Sequence, residues 1–111
     1  VNNAQVPAVG VDGVPTDAHP LDVRELDEWQ AGHAPTAVHI PMSELTNRLG
    51  EIPGDQDPLY VICRSGGRSA RVVAFLTEQG YPAVNVAGGM QAWAGAGLPV
   101  QSDGPGPAQI I

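Results

Sequence analysis

The sequence predicts an α/β fold: a three-layer sandwich in which helices flank a mainly parallel, five-stranded sheet. Short apolar runs recur at five places, too short for helices and mostly uniformly apolar, as strands buried on both faces should be. Stretches with helix-like patterning lie between them, several closed by a glycine. The connections are short, as the 14 Gly and 11 Pro suggest. Strands and helices alternating in this way pack with right-handed crossovers.

The elements follow in order. Gln5 to Val9 and Leu21 to Val23 read as the first two strands. Glu25 to Ala31 reads as a short helix with acids in its first turn, closed by Gly32. Ala37 to Ile40 is the third strand, and Ser43 is a candidate N-cap for a helix over Glu44 to Leu49. Leu59 to Ile62 is the fourth strand. The helix after it carries Val72, Val73, Phe75 and Leu76 toward the sheet and stops at Gly80, before Pro82. Ala83 to Val86 is the fifth strand, and a last helix begins near Gly88-Gly89 and ends before Gly97 and Pro99. Residues 1–100 are thus expected to form one domain, and 101–111 a Gly/Pro-containing C-terminal extension without its own core.

Composition narrows the function. Twelve acids oppose five arginines and no lysine, a net charge of −7, so a nucleic-acid or anionic-membrane surface is not expected. Any anionic ligand must fit a local pocket. One cysteine cannot form an intrachain disulfide, and His19, His33 and His39 are scattered, so neither a metal site nor a cofactor is expected. No run approaches a membrane span, and Val1-Asn2-Asn3-Ala4 lacks the build of a secretory signal; a cytoplasmic protein is the expectation.

The basic charge is concentrated. Arg64, Arg68 and Arg71, three of the five arginines, follow Cys63 within eight positions. Cys63 stands at the C-terminal end of a predicted strand, where open parallel sheets bind ligands, and opens the loop Arg64-Ser65-Gly66-Gly67-Arg68-Ser69. A lone cysteine at a strand end is most often core. A core role explains neither the paired glycines nor the arginines. Gly66 and Gly67 permit positive φ, which turns successive N–H groups inward as an anion nest, and a helix start with nearby cations depresses a thiol's pKa. The expected result is an exposed, reactive thiolate, which is also prone to overoxidation.

The loop Cys63-Arg64-Ser65-Gly66-Gly67-Arg68-Ser69 closely resembles the active-site loop of the rhodanese-homology family, sulfurtransferase domains that carry sulfur on a cysteine as a persulfide. Leu21-Asp22-Val23-Arg24-Glu25 with Glu28-Trp29, then Gly32-His33-Ala34-Pro35 to Ile40-Pro41, resembles the family's N-terminal signature. Gly88-Gly89-Met90-Gln91-Ala92-Trp93 with Gly97-Leu98-Pro99 resembles its C-terminal one. Together these cover roughly Val6 to Val100 in order. Two positions depart: Ala34 and Thr36 replace the larger apolar residue and the glycine usual there.

The resemblance implies a thiosulfate sulfurtransferase with Cys63 as nucleophile, residues 64 to 69 binding the substrate, and Asp22 and Arg24 organising loops around the site. Arg64 suits thiosulfate-type members, which often carry a basic residue after the cysteine where mercaptopyruvate-type members tend to have glycine. With no second cysteine the acceptor must be external: cyanide, a small thiol or a partner protein's thiol. The alternative is a persulfide carrier or rhodanese-type binding module serving a protein partner. A phosphatase or arsenate reductase is disfavoured, because four residues separate Cys63 from Arg68 where related phosphatases have five, and Ile62 stands where they usually have histidine. Among the remaining residues, Trp29 and Trp93 are expected to pack, His33 to be structural rather than a general base, and Gly88-Gly89 to shape the turn into the last helix. Arg71 either extends the positive field or pairs with an acid.

Overall fold

The computed structural model describes residues 6–111. Five parallel strands form one sheet: β1 (Ala8–Val9), β2 (Leu21–Asp22), β3 (Val38–His39), β4 (Leu59–Ile62) and β5 (Ala83–Val86), in the order β1-β5-β4-β2-β3. The expected fold class is therefore present. Each strand lies within the run expected for it, although Gln5 of the first falls outside the described residues. Three α-helices pack with them: α1 (Leu26–Ala31) between β2 and β3, α2 (Gly67–Glu78) between β4 and β5, and α3 (Gly89–Gly95) after β5.

β4 is central, and all four of its residues are buried because both faces are covered. Leu59 and Val61 point into a cluster with Val72, Val73 and Leu76 of α2, while Tyr60 and Ile62 point into a second cluster with Met90 and Trp93 of α3. Period-2 alternation along one strand thus feeds two cores, which makes the layers three. Trp93 packs as expected and donates its indole N–H to the Pro99 carbonyl at 2.8 Å.

The strand order also fixes where a site can form. β2 leads through α1 outward to β3, whereas β4 leads through α2 in the opposite direction to β5, so the connections diverge between adjacent strands β2 and β4. Open parallel sheets bind ligands beyond the C-terminal strand ends at such a switch point. Cys63 follows β4 directly, and Val23 and Arg24 follow β2.

Two expectations need correction. The segment after β3 is not an α-helix over Glu44 to Leu49 but two 3-10 pieces, Met42–Asn47 and Leu49–Glu51. Thr46 and Asn47 are poor helix formers, and so short a stretch recovers few α-type bonds against the cost of nucleation. Nor does Ser43 cap it: its hydroxyl donates to the Glu25 carboxylate at 2.9 Å. Arg48 braces the segment instead, bonding Glu44 at 2.9 Å and Glu51 at 2.8 Å.

Residues beyond 100 lie against the domain. Gln101 forms an antiparallel bridge with His33, the Asp103 N–H donates to the Gln30 carbonyl at 3.0 Å, and the Gln109 N–H donates to the Ala31 carbonyl at 2.8 Å. Ile110 packs against the α3-side core. A Cβ at Gly32 would clash with the Gln109 carbonyl, so this glycine allows the extension its close approach.

Candidate active site

Cys63 ends β4 and its sulfur is the focus of the loop that follows. Gly66 has φ +110°, a left-handed geometry that favours glycine, and this turns its N–H onto Cys63 Sγ at 3.1 Å. Gly67 does not share that geometry; it is already the first residue of α2. One positive-φ residue, not two, builds the nest. Ser69, in the first turn of α2, brings its hydroxyl to 3.2 Å from the same sulfur. Burial pushes the Cys63 thiol up, but hydrogen bonds from the Ser69 side chain and from the backbone of Ser69, Gly66 and Ser65 outweigh it, leaving the pKa below the ordinary thiol value. The ionised sulfur is therefore stabilised chiefly by hydrogen bonds rather than by arginines.

Exposure corrects another expectation: Cys63 is 0 % exposed and joins the core cluster with Leu21, Val23 and Val61. A β-strand C-terminus at the middle of the sheet sits below its flanking loops, so the Cys63 sulfur is enclosed by the loop that follows it.

Arg64 and Arg68 are engaged with protein groups. Arg68 holds Glu28 of α1 through two bonds, Nη1 to Oε1 at 2.7 Å and Nη2 to Oε2 at 2.8 Å. This pair lowers the Glu28 pKa, and Glu28 together with the Cys63 and Asp22 charges raises that of Arg68, which keeps it fully charged. Two of its five N–H donors are used, so others remain for a ligand. Arg64 donates from Nε to the Ile111 carbonyl at 2.9 Å, and in the amide orientation that satisfies both groups, Gln91 Oε1 accepts from Arg64 Nη1 at 2.8 Å. Arg71 is exposed on α2, beside Met42, Leu45 and Phe75.

Asp22 and Arg24 form a fully buried pair, both side chains 0 % exposed, with Arg24 Nη2 on Asp22 Oδ2 at 2.8 Å. Arg24 also donates to the carbonyls of Gly32 at 2.7 Å and Glu28 at 3.3 Å. These bonds satisfy carbonyls at the end of α1 and fix that helix beside the end of β2. Glu25 and Glu28 close its other end as a capping box. Glu28 thus joins α1's own cap to the Arg68 guanidinium.

The three histidines are tied to backbone carbonyls. His33 Nδ1 bonds the Trp29 carbonyl at 2.7 Å, His39 Nε2 the Arg24 carbonyl at 2.7 Å and His19 Nδ1 the Thr36 carbonyl at 2.9 Å. A carbonyl only accepts, so each of those ring nitrogens carries a proton. Trp29 is stacked between His33 and His39, with ring centroids 3.7 and 4.7 Å away. Of the two departures, Ala34 is buried in the α3-side core, while Thr36 gains a bond to the Ala18 carbonyl at 2.7 Å.

The glycine pair before α3 is built against the loop. Gly89 has φ +56°, and a Cβ there would run into the Cys63 and Arg64 backbone. That close approach lets the Met90 N–H donate to the Cys63 carbonyl at 2.8 Å and the Gln91 N–H to the Arg64 carbonyl at 2.9 Å. α3 therefore holds the outer edge of the nest.

This sulfur-centred nest, at the switch point of a parallel sheet, coincides with a sequence match to the rhodanese-like domain family over residues 12–96. The chain belongs to that family. Among its relatives, a protein from Allochromatium vinosum named a sulfurtransferase is 43% identical over 81 residues, covering 72% of this chain and 75% of the relative. A crystal structure of a rhodanese-related protein from Thermoplasma volcanium superposes with a TM-score of 0.79 at 34% identity, covering 86% of this chain and 97% of the other. The thiosulfate sulfurtransferase of Pseudomonas aeruginosa matches 91% of this chain with a TM-score of 0.77 at 25% identity, over 21% of its own length.

Sequence reasoning missed three contributors: Glu28 as the partner of Arg68, Gln91 as a partner of Arg64, and Asn85. Asn85 left a signal, being the one polar residue in the run Ala83 to Val86. Among the described residues no cluster of three or more His, Cys, Asp or Glu could hold a metal ion, and no helix is long and apolar enough to cross a membrane.

Proposed function

We propose that this protein is a sulfurtransferase that moves the outer sulfur of thiosulfate to a thiophilic acceptor through a persulfide on Cys63. The observation that carries the reading is the convergence of the Gly66 N–H and the Ser69 hydroxyl on Cys63 Sγ, which favours the thiolate. Membership of the family and the names of the relatives support sulfur transfer in general. The thiosulfate assignment rests on Arg64 and Arg68, the two arginines of the Cys63 loop.

The chemistry is covalent and takes two steps. Cys63 thiolate attacks the outer sulfur of thiosulfate, the sulfur–sulfur bond of the donor breaks, and sulfite leaves with the bonding pair. Arg64 and Arg68 hold the sulfonate end, and the N–H groups of Ser65, Gly66, Gly67 and Ser69 surround the new terminal sulfur. Cyanide or an external thiolate then attacks that sulfur, and the Cys63 thiolate is regenerated. A cytoplasmic setting, where thiols stay reduced, suits a chain with one catalytic cysteine.

Incubation with thiosulfate followed by intact-protein mass measurement tests this. The expected result is a gain of one sulfur atom on Cys63 that cyanide removes; folded protein without the adduct would refute it. The net charge of −7 favours a second reading, a persulfide carrier that docks a basic face of a partner protein. Slow turnover with cyanide alongside fast transfer to a protein thiol would select it.

A further inference from the structure

We infer that Asn85 is a positioning residue that tunes the acidity of Cys63 by competing for the single hydroxyl proton of Ser69. The inference rests on Cys63 being the nucleophile, as proposed above, but not on the identity of the sulfur donor.

Ser69 Oγ lies 3.2 Å from Cys63 Sγ and 2.5 Å from Asn85 Oδ1. Both are acceptors for a hydroxyl that has one proton, so it donates to one at a time. Asn85 cannot turn away without loss, because its Nδ2 donates to the Gly66 carbonyl at 3.3 Å. Its backbone is fixed as well: the Asn85 N–H donates to the Pro7 carbonyl at 2.8 Å, and the residue pairs with Ala8 of β1 and Val61 of β4. A rigid acceptor thus faces a sulfur whose charge changes during the cycle.

When Cys63 is a thiol, its S–H donates to Ser69 Oγ and the hydroxyl donates to Asn85, so every group is paired. When Cys63 ionises, the charged sulfur draws the hydroxyl proton, and the buried Asn85 oxygen loses its partner. When the charge moves to the outer sulfur of a persulfide, the proton returns to Asn85. Asn85 therefore opposes charge on Sγ and favours the loaded form. It also keeps the thiolate basic, and so more nucleophilic, than the nest alone would leave it. The charged groups of the loop and elements around this cluster include Arg64, Arg68 with Glu28 of α1, and the Asp22–Arg24 pair after β2, all held by protein partners, and Arg71, exposed on α2. β5 and α3 carry no titratable side chain.

The pH dependence of iodoacetamide alkylation reads the ionisation of Cys63 directly, since the chain has one thiol, and requires no sulfur donor. Asn85→Ala should lower the midpoint by about one pH unit, a tenfold change in the thiolate-to-thiol ratio. Ser69→Ala should raise it, and adding Asn85→Ala to Ser69→Ala should change nothing further. A midpoint that stays or rises in Asn85→Ala, or an equal shift in both backgrounds, overturns the inference. Should Asn85→Ala fail to fold, Asn85→Asp binds the proton more strongly and should raise the midpoint more with Ser69 present than with Ser69→Ala; equal shifts overturn it. A chain that passes this test yet takes no sulfur from thiosulfate would refute the donor assignment alone.

Discussion

Replacing Glu28 by Gln removes the negative charge from the clamp on Arg68 while leaving an oxygen to accept the Glu25 N–H of the capping box. The two side chains are 27% and 13% exposed, so the pair is partly screened, and its two bonds run from one guanidinium to one carboxylate. Hydrogen bonds to charged groups contribute about 1.5–3 kcal/mol when well formed. Discounted for exposure, the loss is about 1.5 kcal/mol. In a domain of this size that lowers Tm by roughly 6–12 °C. The sign with pH is fixed, because Arg68 depresses the Glu28 pKa below its ordinary value of 4.5. The pair's contribution is fully present above the ordinary value and is lost as pH falls through the depressed one. Thermal melts of both chains from pH 7 into acid should show a gap that closes at the acid end. Arg68, released, should also lower the Cys63 alkylation midpoint. Equal Tm at pH 7, or a gap that persists after Glu28 has been protonated, would refute the reasoning.

Cys63→Ser should abolish sulfur uptake and leave the far-UV circular dichroism unchanged, because the hydroxyl fits the same nest but is a far weaker nucleophile. In the unaltered chain the alkylation midpoint should lie below the ordinary thiol value of 9.0, and a midpoint at or above it would contradict the hydrogen-bonded thiolate. Gly89→Ala forces a Cβ into the Cys63 and Arg64 backbone at positive φ, and should cost about 2–4 kcal/mol in urea denaturation. Gly32→Ala should displace the extension from α1, seen as faster amide exchange at Gln109 with the exchange of β4 unchanged.

Much of the fold was legible because β4 and its neighbours are apolar on both faces, which admits little but a covered parallel sheet. The segment at Met42–Asn47 was not, since a six-residue stretch falls below the length at which helical periodicity separates α from 3-10 geometry. The nest was legible for a local reason: Cys63, Gly66 and Ser69 are within six residues of one another, so one turn of chain builds it. Its partners were not local. Glu28 and Arg68 are 40 residues apart, Arg64 and Ile111 47, and Ser69 and Asn85 16. No periodicity joins such pairs.

The chain's order of residues by itself determined the sheet, the place of Cys63 at a strand end and the family, because each depends on neighbours along the chain. What only the tertiary structure decided was the electrostatic state of the site: a sulfur enclosed by its loop, Arg64 and Arg68 already bonded, and a serine hydroxyl between that sulfur and an asparagine on the next strand. Those depend on which atoms folding brings within hydrogen-bond reach, and strand order and helix docking set that reach.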